Sequence, residues 1–316
     1  MPAAPSKPQP RSLKRSQQVF RFCCSAFNNF ARNPLQLWIG LAGLAFCLHL
    51  ALLISTKSPL PLLLFCIVLW AVAWLPIEDI TDDFIFAPPR SRILVSIIFW
   101  IPLLVRGSQV QSYADPFNAL FPFLAGLVIA YLPFGVVGFI KLRESLLILA
   151  LMPVLAWLPS LIPTAPLSRS AAAFATFLLQ TFGADAALNG VRIVLNVAAV
   201  NVAGPCSGNE MMVQAFVVAL LACIVFPMPN RWLRFPFLIL APLLGWFANG
   251  LRVALLVLIA SIDPASSLED SGVFGFFHLG EGGIVFSSLG IALYAYIYVK
   301  ILEYQLRTRE DGRHES

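Results

Sequence analysis

The chain has 316 residues, of which 59% are hydrophobic and only 12% charged, where an average soluble domain carries about 25% charged residues. That excludes a soluble globular protein and makes a polytopic membrane protein the default, since about eight spans of about 20 apolar residues would use roughly 160. The net charge of +5 then reads as a topology signal and not as a nucleic-acid footprint.

Residues 1–35 form a basic tail. Pro2, Pro5, Pro8 and Pro10 among Ser, Gln and basic residues predict disorder over the first fifteen positions, and Val19 to Phe30 reads as a short surface helix. No compact apolar run with a cleavage site is present there, so no cleavable signal peptide is expected. Eight apolar stretches follow: Leu37 to Ser55, Leu60 to Pro76, Ile93 to Val105, Phe117 to Ile140, Leu146 to Ile162, Met211 to Phe226, Phe235 to Ile262 and Gly283 to Leu302. They predict an all-α membrane helical bundle of about eight transmembrane helices within a single domain, 36–305, followed by a polar tail, 306–316.

Placing the N-terminus inside puts the clusters Lys7 to Arg32, Arg90 and Arg92, Lys141 and Arg143, Arg231 and Arg234, and Lys300 to Arg313 on the cytoplasmic side. These hold 16 of the 21 basic residues. Lys57, Arg106, Arg169 and Arg192 fall outside, and Arg252 lies within the seventh span. The positive-inside rule favours this orientation, with both termini cytoplasmic in an inner, plasma membrane.

The longest outside segment, 163–210, has structure of its own. Ser168 to Phe182 reads as an amphipathic helix on the membrane surface, ended by Gly183. Val191, Ile193, Leu195 and Val197 alternate with Arg192, Val194, Asn196 and Ala198, as an extended segment with one buried face requires. A second outside loop, Asp263 to Gly282, carries His278. No internal repeat is visible, which disfavours transporter folds built from repeated halves.

Three polar features interrupt the apolar background: Gly204 to Glu210 (GPCSGNE), Asn249 to Arg252 (NGLR) and His278 to Gly283 (HLGEGG). The topology brings all three toward the outer side. Cys206 sits in a turn bracketed by Gly204, Pro205 and Gly208, directly before the sixth span, and a helix N-terminus lowers the pKa of a thiol placed on it. Ser207 is the competing nucleophile, but no base stands beside it in sequence. The other cysteines offer no metal-type CxxC spacing and no disulfide framework.

Arg252 lies about ten residues before the end of its span, about 15 Å along the helix. A charge there must face the bundle interior, a carboxylate or a wet cleft. Asn249 shares its face. A structural clamp to Glu210 or Glu281 is the other role open to Arg252. His278 titrates near neutral pH and stands at the membrane edge, where Glu281 could orient it if that stretch is helical. His49, alone in the first span, reads as a packed or hydrogen-bonded residue. Thiol, imidazole and guanidinium on one side form a workable acyl-transfer set. The same residues could instead line a small-anion pathway using Arg252, or belong to a non-enzymatic scaffold of surface-polysaccharide export.

In its ordered Cys206-Ser207-Gly208, Asn249-Gly250-Leu251-Arg252 and His278, the chain resembles the exosortase and archaeosortase family, in particular its cyanobacterial branch. The resemblance covers Leu146 to Leu302 in detail. It implies a membrane-embedded cysteine transpeptidase or protease with Cys206 as nucleophile, His278 as general acid and base, and Arg252 stabilising an oxyanion or substrate carboxylate. The implied substrates are membrane-anchored exported proteins with a C-terminal Pro-Glu-Pro-type sorting signal. No metal or organic cofactor and no nucleic-acid partner is expected. Two departures from the family pattern, Asn209-Glu210 after the Cys-Ser-Gly and Pro205 before it, bear on substrate details.

Overall fold

The computed structural model describes residues 34–78, 88–196, 198–278 and 280–314. The expected disordered tail and the surface helix Val19 to Phe30 lie outside the described residues, as do Cys23 and Cys24. The chain divides into two units at Ala150.

The first unit contains α1 (Pro34–Ser55), α2 (Leu60–Glu78), α3 (Arg90–Ser108), α4 (Pro116–Phe134), α5 (Val137–Lys141) and α6 (Arg143–Leu149). Asp115 starts α4 by accepting the Phe117 N–H at 2.9 Å, with Pro116 fitting the first helical turn. Both oxygens of the same carboxylate accept from one nitrogen of Arg106, Nη2, at 2.8 and 2.7 Å. The Phe117 N–H and then Arg106 hold the Asp115 carboxyl below the usual range. Trp38, Ala45, Phe121 and Ala125 pack in the core. His49 is fully buried, with its Nε2 2.9 Å from the Asn118 carbonyl and its Nδ1 3.2 Å from the Cys66 sulfur, so it is a hydrogen-bonded interior residue as expected.

The fourth apolar stretch does not run unbroken to Ile140. α4 stops at Phe134, because Gly135 turns left-handed at φ 66° and closes the last turn with its N–H on the Tyr131 carbonyl at 2.7 Å. The third stretch, by contrast, extends on both sides into a 19-residue helix.

The second unit contains α7 (Leu151–Leu161), α8 (Thr164–Thr181), strands β1 (Ala186–Asn189), β2 (Arg192–Leu195) and β3 (Ala198–Asn201), a 3-10 turn at Gly204–Ser207, α9 (Asn209–Val225), α10 (Arg234–Ile262), α11 (Pro264–Glu269), α12 (Gly272–His278) and α13 (Gly282–His314). The alternation read from Val191 onward is one strand of an antiparallel meander in the order β1-β2-β3, with Ile193 and Leu195 on the buried face. α8 directs Ala171, Ala172 and Ala175 inward and packs on α10, so its small-residue stripe is covered by protein. α13 continues through His314, so most of the expected polar tail is helical.

Among the described residues, seven helical segments are long and apolar enough to cross a membrane, and α9, at 17 residues, is a shorter apolar helix of about 25 Å. Ile98 and Phe99 on α3, and Leu289 and Tyr296 on α13, are well exposed. In water such surfaces would aggregate; against acyl chains they are satisfied. The protein is a polytopic helical membrane protein, with one small β-meander added to the expected helices.

Candidate active site

β3 delivers the chain through buried Val202 to the turn that carries Cys206. The Cys206 N–H bonds back to the Ala203 carbonyl at 3.2 Å. Gly208 then adopts φ 83°, a left-handed conformation that lets the chain enter α9 at once. A Cβ at Gly208 would lie 2.7 Å from Nδ2 of Asn249. That amide donates to the Cys206 carbonyl at 2.9 Å and ties the turn to α10. Cys206 is 0% exposed and Ser207 1% exposed. The polar, glycine-rich context suggests an open turn; the structure instead buries the thiol among Ala172, Val202, Val253 and Phe274.

His278 ends α12, and its imidazole lies close enough to the Cys206 side chain for the two to interact. On the other side of the ring, Nδ1 lies 2.7 Å from Oδ1 of Asp270, while the Phe274 ring sits with its centroid 5.3 Å away. Interaction with the Cys206 side chain raises the imidazole pKa most, burial opposes it, and the Asp270 carboxylate raises it further, to about 9. The carboxylate on the ring is therefore Asp270 and not Glu281, which is exposed in the turn before α13, where the helix has not yet begun. Asp270 is the residue that sequence reasoning missed.

Arg252 is 5% exposed within α10. Its Nε donates to the Phe277 carbonyl at 2.8 Å, Nη2 to the His278 carbonyl and Nη1 to Oδ1 of Asn249 at 3.3 Å. The last carbonyls of any helix lack intrahelical partners, and here a guanidinium takes two of them. Arg252 is also coupled electrostatically to Cys206 and Glu210. Glu210 itself is exposed in the first turn of α9. Asn249 thus bridges the thiol's backbone and the guanidinium, as its position on the Arg252 face predicts.

Asn209 donates from Nδ2 to the Pro159 carbonyl at 2.5 Å, which fastens the start of α9 to α7. The Ser207 hydroxyl accepts the Asn209 N–H at 3.4 Å, and among the described residues no base is bonded to it. Apolar pockets of about 380 and 670 Å³ lie in the first unit, one around Trp38, Trp70 and Trp74 and the other around Phe99 and Tyr131. Neither contains a residue of the Cys206 cluster.

Three segments far apart in sequence thus bring a thiol, an imidazole with a carboxylate behind it, and a buried guanidinium into one connected network. A set of this kind can support nucleophilic attack with proton transfer by the same imidazole. No curated protein and no solved structure matches the chain. A family model described as transmembrane exosortase (Exosortase_EpsH) matches residues 65–295, a span that includes the whole network. That match extends over well more than half of the sequence, and the chain belongs to the transmembrane exosortase family, whose general role is that of a membrane transpeptidase or protease.

Proposed function

We propose that the protein is a cysteine transpeptidase or protease that removes C-terminal sorting signals of the Pro-Glu-Pro type from membrane-anchored exported proteins. Cys206 is the nucleophile, His278 the general acid and base, and Arg252 the positive charge beside the reacting centre. One observation carries the reading: the Cys206 side chain stands beside an imidazole that is itself held by a carboxylate. Sequence order, the distribution of basic residues and the family support a site on the outer face with both termini cytoplasmic.

With its pKa at about 9, His278 is protonated at neutral pH and stabilises a thiolate beside it. The Cys206 sulfur attacks the scissile carbonyl carbon, and the carbon–nitrogen bond breaks. The leaving amine takes the imidazolium proton, and an acyl thioester remains. Neutral His278 then accepts a proton from the incoming nucleophile, whether water, an amine or a glycan hydroxyl, as that group displaces the thiolate. The Arg252 charge lowers the energy of the anions along this path. An anion pathway would need the guanidinium facing a conduit, whereas its bonds run to Phe277, His278 and Asn249. Surface-polysaccharide machinery is a partner consistent with this role.

The test is co-expression with a reporter bearing the signal, a membrane helix and a basic tail, scored for shortening. Cys206→Ala and Cys206→Ser are both expected to abolish shortening at near-normal abundance, since the site is small and the substitutions leave at most a minor cavity. Shortening that persists in both variants refutes cysteine chemistry.

A further inference from the structure

The turn between α11 and α12 is built with unusual tightness for an outer loop. Asp270 adopts a left-handed conformation at φ 53°, and the N–H groups of Asp270 and Ser271 both close on the Ser266 carbonyl. α12 then turns back against Asp270. The Gly275 N–H bonds to the Ser271 carbonyl at 2.9 Å, and a Cβ at Gly275 would lie 2.1 Å from the Asp270 carbonyl oxygen, which nothing but glycine permits. The result sets the Asp270 carboxylate beside a ring eight residues away, on a helix only seven residues long.

We infer that Asp270 is a positioning residue for His278, its carboxylate fixing the Nδ1–H tautomer and the ring rotation so that Nε2 faces Cys206. The inference rests on the proposed roles of Cys206 and His278. An imidazole has two ring nitrogens, and the partner on one decides which can exchange protons at the other. The Phe274 ring limits rotation from the side, and Arg252 holds the His278 carbonyl, so the carboxylate supplies the remaining constraint on the ring. The titratable and charged groups facing His278 are Cys206 from the 3-10 turn, Asp270 from the interhelical turn and Arg252 from α10. Glu281, in the turn before α13, is exposed. Asp270 and His278 keep side-chain exposures of 36% and 22%, so water screens the pair and its effect is smaller than that of a fully buried one.

The test compares wild type, Asp270→Asn, Asp270→Glu and Cys206→Ala in one reporter-shortening assay across pH, normalised to folded protein. Asp270→Asn, nearly isosteric and at a partly exposed position, is expected to lower kcat at least tenfold with KM within about twofold. It should also move the alkaline limb of activity to lower pH, because the charge that favours imidazolium is gone. Asp270→Glu should recover part of both. Wild-type kcat with an unmoved limb in Asp270→Asn overturns the inference and leaves the thiol mechanism standing. A fall in kcat with no movement of the limb and no recovery in Asp270→Glu also overturns it, since that is the signature of a merely structural residue. Shortening by Cys206→Ala refutes the parent reading and the inference with it.

Discussion

Replacing Arg252 by lysine keeps the charge and removes the fork. Bonds to the Phe277 carbonyl, the His278 carbonyl and the Asn249 amide oxygen leave from three different nitrogens of one planar group. A single ammonium on a flexible stem cannot stand at all three places, and we expect it to lose two. Hydrogen bonds to charged groups contribute about 1.5 to 3 kcal/mol each, so the loss at the end of α12 is about 3 to 6 kcal/mol of local order. Suppose about 2 kcal/mol of that appears as misplacement of the His278 ring; the rate then falls about thirtyfold. The measurement is the initial rate of reporter shortening per folded molecule, with the thermal unfolding midpoint taken on the same preparation so that instability does not imitate a lost rate. An Arg252→Lys variant within twofold of wild type, at an unchanged midpoint, would refute the argument that the guanidinium holds the histidine end of the helix.

Gly208→Ala should be among the most damaging small substitutions. The new Cβ falls 2.7 Å from the Asn249 amide nitrogen while the backbone stays at φ 83°, so we expect about 1 to 3 kcal/mol of destabilisation and near-complete loss of shortening. Gly283→Ala is its control: there the Cβ would sit 3.8 Å from Arg252, an ordinary contact, and near-normal activity is expected. For His278, raised from 6.5 to about 9, the imidazolium form is present below that value and lost as pH rises through it. Activity should therefore have its alkaline limb near pH 9 and not near 6.5. The folded state should also lose this group's contribution to stability across the same interval, as unfolding curves against pH would report. His278→Gln is expected to shorten nothing at any pH, because glutamine keeps a hydrogen bond but cannot take up and return a proton.

The spans are legible in sequence because crossing a bilayer demands only sustained hydropathy, which composition displays directly. The break at Gly135 is hidden for the same reason: residues 117–140 are apolar throughout, and prolines such as Pro133 are tolerated inside spans. Cys206, Arg252 and His278 stand out because polar groups in such surroundings need a reason. Their partners do not stand out. Glu210 and Glu281 are the natural candidates to hold Arg252, since side chains are all a sequence exhibits, yet its guanidinium donates to two backbone carbonyls and an amide oxygen. Carbonyls belong to every residue and carry no signature. Asp270 was invisible because its contact depends on a left-handed turn between two helices of six and seven residues, and no helical periodicity spans that turn.

The complete burial of Cys206 bears on how long the proposed nucleophile survives. Thiols exposed outside the cytosol are consumed by disulfide exchange and by stepwise oxidation of sulfur. A thiol with no exposed surface meets those reagents only during excursions of the surrounding helices, so its chemical lifetime follows the frequency of opening and not its own reactivity. A substrate of the proposed reaction would meet the same barrier. If the open arrangement held about 1% of the population, the apparent affinity for a sorting signal would be about a hundredfold weaker than the intrinsic one. A signal peptide tethered in the same bilayer can overcome that handicap through its high local concentration, while a soluble peptide of the same sequence cannot, so restriction to membrane-anchored substrates would follow from the closed packing around one sulfur atom.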